Sequence, residues 1–130
     1  MLRIANDYAQ EAASGVGWVS LGLGFALTLA PRKSASFLGW GDREQLARVI
    51  GVSDLVVGMG LLVDRSRSRW MLARALLNVV IALNYASVLV SEIPERKRAT
   101  GGLGLMTCLT FVDYSLSRRL REAEAARSSR

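Results

Sequence analysis

The stretch VIGVSDLVVGMGLLV, residues 49–63, carries a single charge, at Asp54, and from Val56 to Val63 it has no polar side chain at all. A helix of a water-soluble bundle repeats its apolar residues at i, i+3, i+4 and i+7 and keeps polar ones on the far face. This stretch is apolar all round, and Val79–Leu83 is the same. Such helices belong in hydrocarbon or deep in a protein interior. Working outward, three further runs share the character: Ala12–Pro31, Ala75–Ser91 and Ala99–Val112 contain no Asp, Glu, Lys or Arg. The chain of 130 residues is 51% hydrophobic and yet 22% charged, and segregation of the two kinds along the sequence reconciles those figures.

In hydrocarbon every backbone polar group must be paired within the segment, so an apolar run of roughly 17 to 25 residues reads as a helix crossing about 30 Å. The reading gives four spans, at about residues 14–30, 46–63, 70–90 and 100–116, two of them short. Pro31 stops the first, ahead of the basic pair Arg32 and Lys33. Asp7 and Glu11 precede that run and no small-x-small cleavage pattern follows it, so it is expected to be a retained anchor and not a secretory signal. The second needs Arg48 to snorkel toward a headgroup. Arg69 and Trp70 anchor the third at an interface, and Glu92, Pro94 and the basic run 96–98 close it. Arg118, Arg119 and Arg121 mark the end of the fourth, and residues 121–130 form a charged, Ala-rich tail expected to be a frayed helix in water.

Short connectors make successive helices antiparallel neighbours, and an even number of spans returns the C-terminus to the side of the N-terminus. The expected fold is therefore all-α, a single integral membrane four-helix antiparallel bundle over residues 1–120 with its termini on the same side. Counting the snorkelling Arg48 with its face, nine Lys and Arg fall on the terminal side and seven on the other, a bias toward cytoplasmic termini in a bacterial plasma membrane.

Several chemistries are excluded. The chain has no histidine, which removes Ser-His and Cys-His nucleophile pairs, imidazole-bound metal and histidine proton relays. Lys33 and Lys97 are the only lysines and both lie in connectors, which disfavours a Ser-Lys dyad. Cys108 is the single cysteine, so no internal disulfide forms, and in mid-span it is expected to be a small buried hydrophobe. A net charge of +6 suggests nucleic acid, but the basic residues flank apolar runs and lack interleaved aromatics, so membrane-surface placement is expected and nucleic acid is not. Neither a cofactor nor a metal ion is expected. The pairs Gly22/Gly24 and Gly58/Gly60 have no strand, third glycine or P-loop lysine, and are not nucleotide loops.

Small residues let helices in lipid approach closely. Gly17, Ser20 and Gly24 share one face of the first span, and Gly51, Asp54 and Gly58 share one face of the second, which marks Gly17, Gly24, Gly51 and Gly58 as helix-packing positions. Ionisable groups inside spans are costly and must face the bundle interior. On the third helix Trp70, Arg74, Asn78, Ile81 and Tyr85 recur at helical spacing, and on the fourth Thr110, Asp113 and Ser117 do. Arg74 and Asp113 lie about 6 and 7 Å inside the same face of the bilayer on neighbouring antiparallel helices, so an ion pair between them is expected. Asp54 lies near the midplane, some 14 Å from the end of its helix, and must be paired or protonated, with Arg74, Asn78 or Tyr85 as candidate partners. The expected intramembrane polar seam is thus Asp54, Arg74, Asn78, Tyr85 and Asp113.

The run Gly17-Trp18-Val19-Ser20-Leu21-Gly22-Leu23-Gly24, then Ala30-Pro31-Arg32, Arg48-Val49-Ile50-Gly51 and Arg69-Trp70 to Arg74, resembles a group of small bacterial four-helix integral membrane proteins, similar to the membrane segment found with cyclase/dehydrase-like lipid-binding proteins. The likeness covers roughly the first 80 residues. That pattern carries a Glu before the Ala-Pro, an Arg-Glu pair in the second helix and acidic residues after the third-helix arginine. Here Leu27, Ser53-Asp54, Asn78 and Ile81 stand in those places, so most of the family's intramembrane charge is missing. The resemblance implies the architecture and no activity.

Three functional expectations follow. The first is a non-enzymatic scaffold or accessory subunit that works through helix packing, in contact with the lipid bilayer and with itself or a membrane partner. The alternative is a small-solute, proton or lipid-handling protein that uses the polar seam, which would show a cavity where a scaffold shows short polar contacts. An enzyme on a lipophilic substrate would need acid–base work from Asp54 or Asp113, and the sequence brings no second catalytic group to either, so no catalytic residue is assigned.

Overall fold

The computed structural model describes residues 2–91 and 96–129, with side chains described for 7–90 and 96–129. Among these residues the chain is all-helical: α1 Leu2–Leu29, α2 Pro31–Phe37, α3 Glu44–Val63, α4 Arg67–Ser91 and α5 Arg96–Ser128. Glu92 and Pro94, expected to close the third span, lie outside the described residues, as do the side chain of Arg3 and all of Arg130.

Three helices are long and apolar enough to cross a membrane: α1 over Asp7–Leu29, α3 over Glu44–Val63 and α4 over Arg67–Val90. The fourth expected span is part of α5, which falls short of that standard. Its uncharged run, Ala99–Val112, is about 21 Å long at 1.5 Å per residue and is diluted by Gly101, Gly102, Gly104, Thr100, Thr107 and Thr110.

The helices associate as two close antiparallel pairs, α1 with α3 and α4 with α5, joined chiefly through α3 and α4. Glycine sets the first pair. A Cβ added at Gly24 would stand 2.8 Å from the Gly51 carbonyl oxygen, and one at Gly58 2.9 Å from the Gly17 carbonyl oxygen. The two backbones therefore touch at two points one heptad apart on each helix, with no side chain between them.

The start of α1 departs from expectation. α1 begins a dozen residues before the apolar run, and its Ala9 and Ala13 are buried with Met71, Val57, Leu61 and Leu120 in a small core. The expected helical tail is the continuation of α5, mostly exposed as expected but with Ala123 buried. Glu124 on that extension accepts hydrogen bonds from the backbone N–H of Ser68 at 3.2 Å and its hydroxyl at 2.5 Å, so it caps the N-terminus of α4 from a different helix. Arg67 donates to the Gln10 carbonyl at 3.0 Å and ties α1 to the same corner.

At the opposite end the connector after α1 is folded, not merely basic. Pro31 stops α1 but also starts α2, where its missing N–H is among those a first turn leaves unpaired anyway. The Ser34 hydroxyl donates to the Ala26 carbonyl at 3.0 Å across the joint. After α2, Gly39 and Gly41 adopt φ of 75° and 61°, a region closed to most side chains, and between them they turn Trp40 inward. Trp40 is 1% exposed and packs edge-on against Tyr85, with ring centroids 5.8 Å apart, among Leu27, Ile50, Ile81 and Val88. It plugs this end of the bundle.

The α3–α4 turn is held by Asp64, whose carboxylate accepts the Ser66 N–H at 3.0 Å and the Trp70 indole N–H at 2.9 Å. Those two donors hold the Asp64 carboxyl below its usual range, the Ser66 N–H most of all. Trp70 is half-buried over Gly60, a packing role as well as the expected interfacial one.

Candidate functional site: a buried charge cluster between the two helix pairs

Arg74 on α4 is the hub where the pairs meet. Its Nη1 donates to Asp54 Oδ1 of α3 at 3.1 Å and to the Ser20 hydroxyl of α1. Its Nε lies 3.3 Å from Asp113 Oδ2 of α5, and the same carboxylate oxygen accepts the Asn78 side-chain amide at 2.7 Å. Asp54, Arg74 and Asp113 are 4, 5 and 1% exposed. All four long helices thus contribute one or two polar groups to a centre that water does not reach in the folded chain.

The local reasons are periodic. Ser20 lies between Gly17 and Gly24, and Asp54 between Gly51 and Gly58, so both sit where the α1 and α3 backbones come nearest. Arg74 and Asn78 are one helical turn apart and present to α5 the same stripe. The guanidinium then spans from one pair to the other on the arginine's long stem.

Of the expected seam, Asp54, Arg74, Asn78 and Asp113 are brought together, and the Arg74–Asp113 contact is present. Tyr85 is not among them. It lies three turns further along α4, about 16 Å along the axis, where its ring packs over Gly102 and against Trp40 as part of the apolar plug. Thr110 is also elsewhere: its hydroxyl donates to the Met106 carbonyl at 2.7 Å within its own helix. Ser117 does turn inward, and its hydroxyl donates to the Ser68 carbonyl at 3.0 Å. Cys108, expected to be buried, is exposed, because the α5 face that packs on α4 passes through Gly102, Asp113 and Ser117 instead.

Two features had no signal in the sequence reading. Ser20 was legible only as a small packing residue, and its role depends on a third helix reaching it. Arg43, in the α2–α3 connector, donates to Asn84 Oδ1 at 2.5 Å and the Ser87 hydroxyl at 2.6 Å on α4, a second polar tie near the plugged end. Arg48 pairs with Glu44 one turn away at 3.0 Å and stays exposed.

The arrangement can fix four helices in register, and it can hold charge. Among the described residues, clefts of about 430 Å³ (Asp7, Gln10, Glu11, Ser14, Arg67), about 360 Å³ (Ala12, Phe111, Val112, Ser115, Leu116, Arg119) and about 220 Å³ (apolar groups of α4 and α5) are not lined by Asp54, Arg74, Asn78 or Asp113. Among the described residues no three Cys, Asp or Glu converge as a metal site would require. Searches against protein-family models, curated proteins and solved structures find nothing that matches the chain. The site therefore stands on its own chemistry.

Proposed function

We propose that the chain is an integral membrane protein that crosses the bilayer four times, with α5 as the fourth span and both termini on the cytoplasmic face of a bacterial plasma membrane, and that it acts as a packed, non-enzymatic scaffold or accessory subunit. One observation carries this reading: the molecule is apolar outside and charged inside. Among the described residues twenty-one large apolar side chains are exposed, Trp18, Phe25, Val56, Leu83 and Phe111 among them, while Asp54, Arg74 and Asp113 are buried. In water each such side chain would forgo about 1.5–3 kcal/mol by staying exposed, which makes that surface one for lipid or protein.

Support for four spans comes from the partnership of α4 and α5. The glycines and threonines that lower the apolar character of α5 are tolerable in a bilayer, because its threonine hydroxyls at 100, 107 and 110 bond carbonyls four residues back. Short polar contacts in the seam support a scaffold over a carrier. The likeness to small bacterial four-helix membrane proteins is part of this proposal and adds only architecture.

The test is the assembly state in the membrane. Detergent-solubilised protein is expected to run above monomer size, or to cross-link in intact membranes to itself or to a defined membrane partner. A strict monomer that cross-links to nothing would overturn the scaffold role.

A further inference from the structure

The cluster does not balance its charge. Two carboxylates and one guanidinium, all nine-tenths buried or more, sum to minus one when every group is ionised. The groups around them come from every helix in contact: α1 supplies the Ser20 hydroxyl and no charge, α3 supplies Asp54, α4 supplies Arg74 and the neutral Asn78 amide, and α5 supplies Asp113. No second cation faces the site among these. An uncompensated negative charge in this setting costs several kcal/mol, far more than any single hydrogen bond in the cluster contributes.

One guanidinium serves both carboxylates. Its Nη1 donates to Asp54 and Ser20, while its Nε lies 3.3 Å from Asp113 Oδ2 without a hydrogen bond to it. Asp113 also accepts the Asn78 amide.

Access is unequal on the two sides. From Asp113 toward the terminal face, α5 turns Ser117 inward one turn on and Glu124 two turns beyond that, with the Ser68 hydroxyl hydrogen-bonded to Glu124. Glu124 is only partly buried, so polar groups, the Ser117 hydroxyl on the Ser68 carbonyl and the Ser68 hydroxyl on Glu124, lie between the cluster and this surface. Toward the other face stand Ile81, Tyr85, Val88, Leu27 and Trp40, a buried apolar plug.

We propose that Asp54 and Asp113 together bind one proton, exchanged with the terminal face on the side where Ser117, Ser68 and Glu124 lie. The step is a proton transfer: an O–H bond of a hydronium ion at the terminal face breaks, a carboxyl O–H bond forms, a neutral water molecule remains, and the cluster passes from minus one to neutral with no redox change. The ligand is a bare proton and not a hydrated metal cation, because the contacts of 2.7 to 3.3 Å leave no coordination shell to fill. As a coupled pair the two carboxylates release it in one macroscopic step that belongs to both. The inference rests on the membrane reading only for the depth of the cluster; a chain that is monodisperse without detergent refutes that reading whatever the cluster's protonation.

The experiment is infrared difference spectroscopy of the full chain in lipid nanodiscs, with aspartate carboxyls carbon-13 labelled. The wild type at pH 7 is expected to show the C=O stretch of one protonated aspartic acid, shifted by the label and unchanged by sodium. Asp54→Asn and Asp113→Asn each bring the cluster to neutrality without a proton, so each is expected to lose the band. Ser117→Ala is expected to keep the band and slow its response to a pH jump. The absence of a label-sensitive band in the wild type would overturn the proposal, and this reading needs no variant to fold. So would loss of the band on adding sodium, or its survival in both asparagine variants; an unchanged response in Ser117→Ala would overturn the route.

Discussion

Replacing Arg74 by leucine removes the one cation from a site that holds two carboxylates and leaves the Ser20 hydroxyl and Asp54 without their donor. Taking one partner from a buried ion pair typically costs about 3–5 kcal/mol, because the remaining charge is left uncompensated. Arg74→Leu is therefore expected to lower stability by that much in a denaturing-detergent titration, and Asp113→Asn by clearly less, since it leaves the cluster neutral without a proton and keeps a polar group beside Asn78. Equal losses in the two variants would show that packing, not charge, dominates the site. The residue types and helical spacing made four of these five seam positions legible: an arginine and an aspartate at matching depths on neighbouring helices have few other partners. Tyr85 was misplaced because periodicity defines a stripe but not how far along it a cluster extends. Ser20 was read as packing alone because spacing identifies a face and says nothing of which third helix reaches over it.

At the scale of elements, the α1–α3 contact depends on the absence of side chains at Gly24 and Gly58. Gly24→Val would drive its side chain into the Gly51 carbonyl and Leu55, whereas a Cβ at Gly22 meets nothing within 4 Å. Overpacking of this kind costs about 1–3 kcal/mol, and here the obstacle is backbone that cannot step aside. Gly24→Val is expected to destabilise by that amount, and Gly22→Ala by little, in the same titration. Comparable losses would mean that the two helices are not held by their glycine faces. The α3–α4 turn makes a prediction about pH. The Asp64 carboxyl is held below its usual range, so its hold on Ser66 and Trp70 is present above the unfolded carboxylate range and is lost as pH falls through the folded value. Trp70 fluorescence, recorded in a variant with Trp18 and Trp40 replaced by phenylalanine, is expected to change over that acidic range and to lose the change in Asp64→Asn. The glycine faces were legible because close approach in lipid demands them. The α2–Trp40 plug and the docked α5 extension were not, since short charged connectors and Ala-rich tails look alike in sequence whether or not a bundle end is there to receive them.

For the whole molecule, the proposed function places hydrocarbon, not water, against the outer faces of the helices. Three helices satisfy that by length and composition, and α5 is the element on which the four-span arrangement turns. Cys108 is a native reporter there: it is the chain's single cysteine, it is exposed, and it lies in the uncharged run of α5. The decisive measurement is its labelling by a membrane-impermeant maleimide in sealed vesicles, applied from each side, with cysteines introduced at Ser129 and Ser36 in a Cys108→Ser background as reporters for the two faces. Cys108 is expected to stay unlabelled from either side until the membrane is dissolved and the chain unfolded, while each introduced cysteine labels from one side only. Rapid labelling of Cys108 in intact vesicles would contradict it.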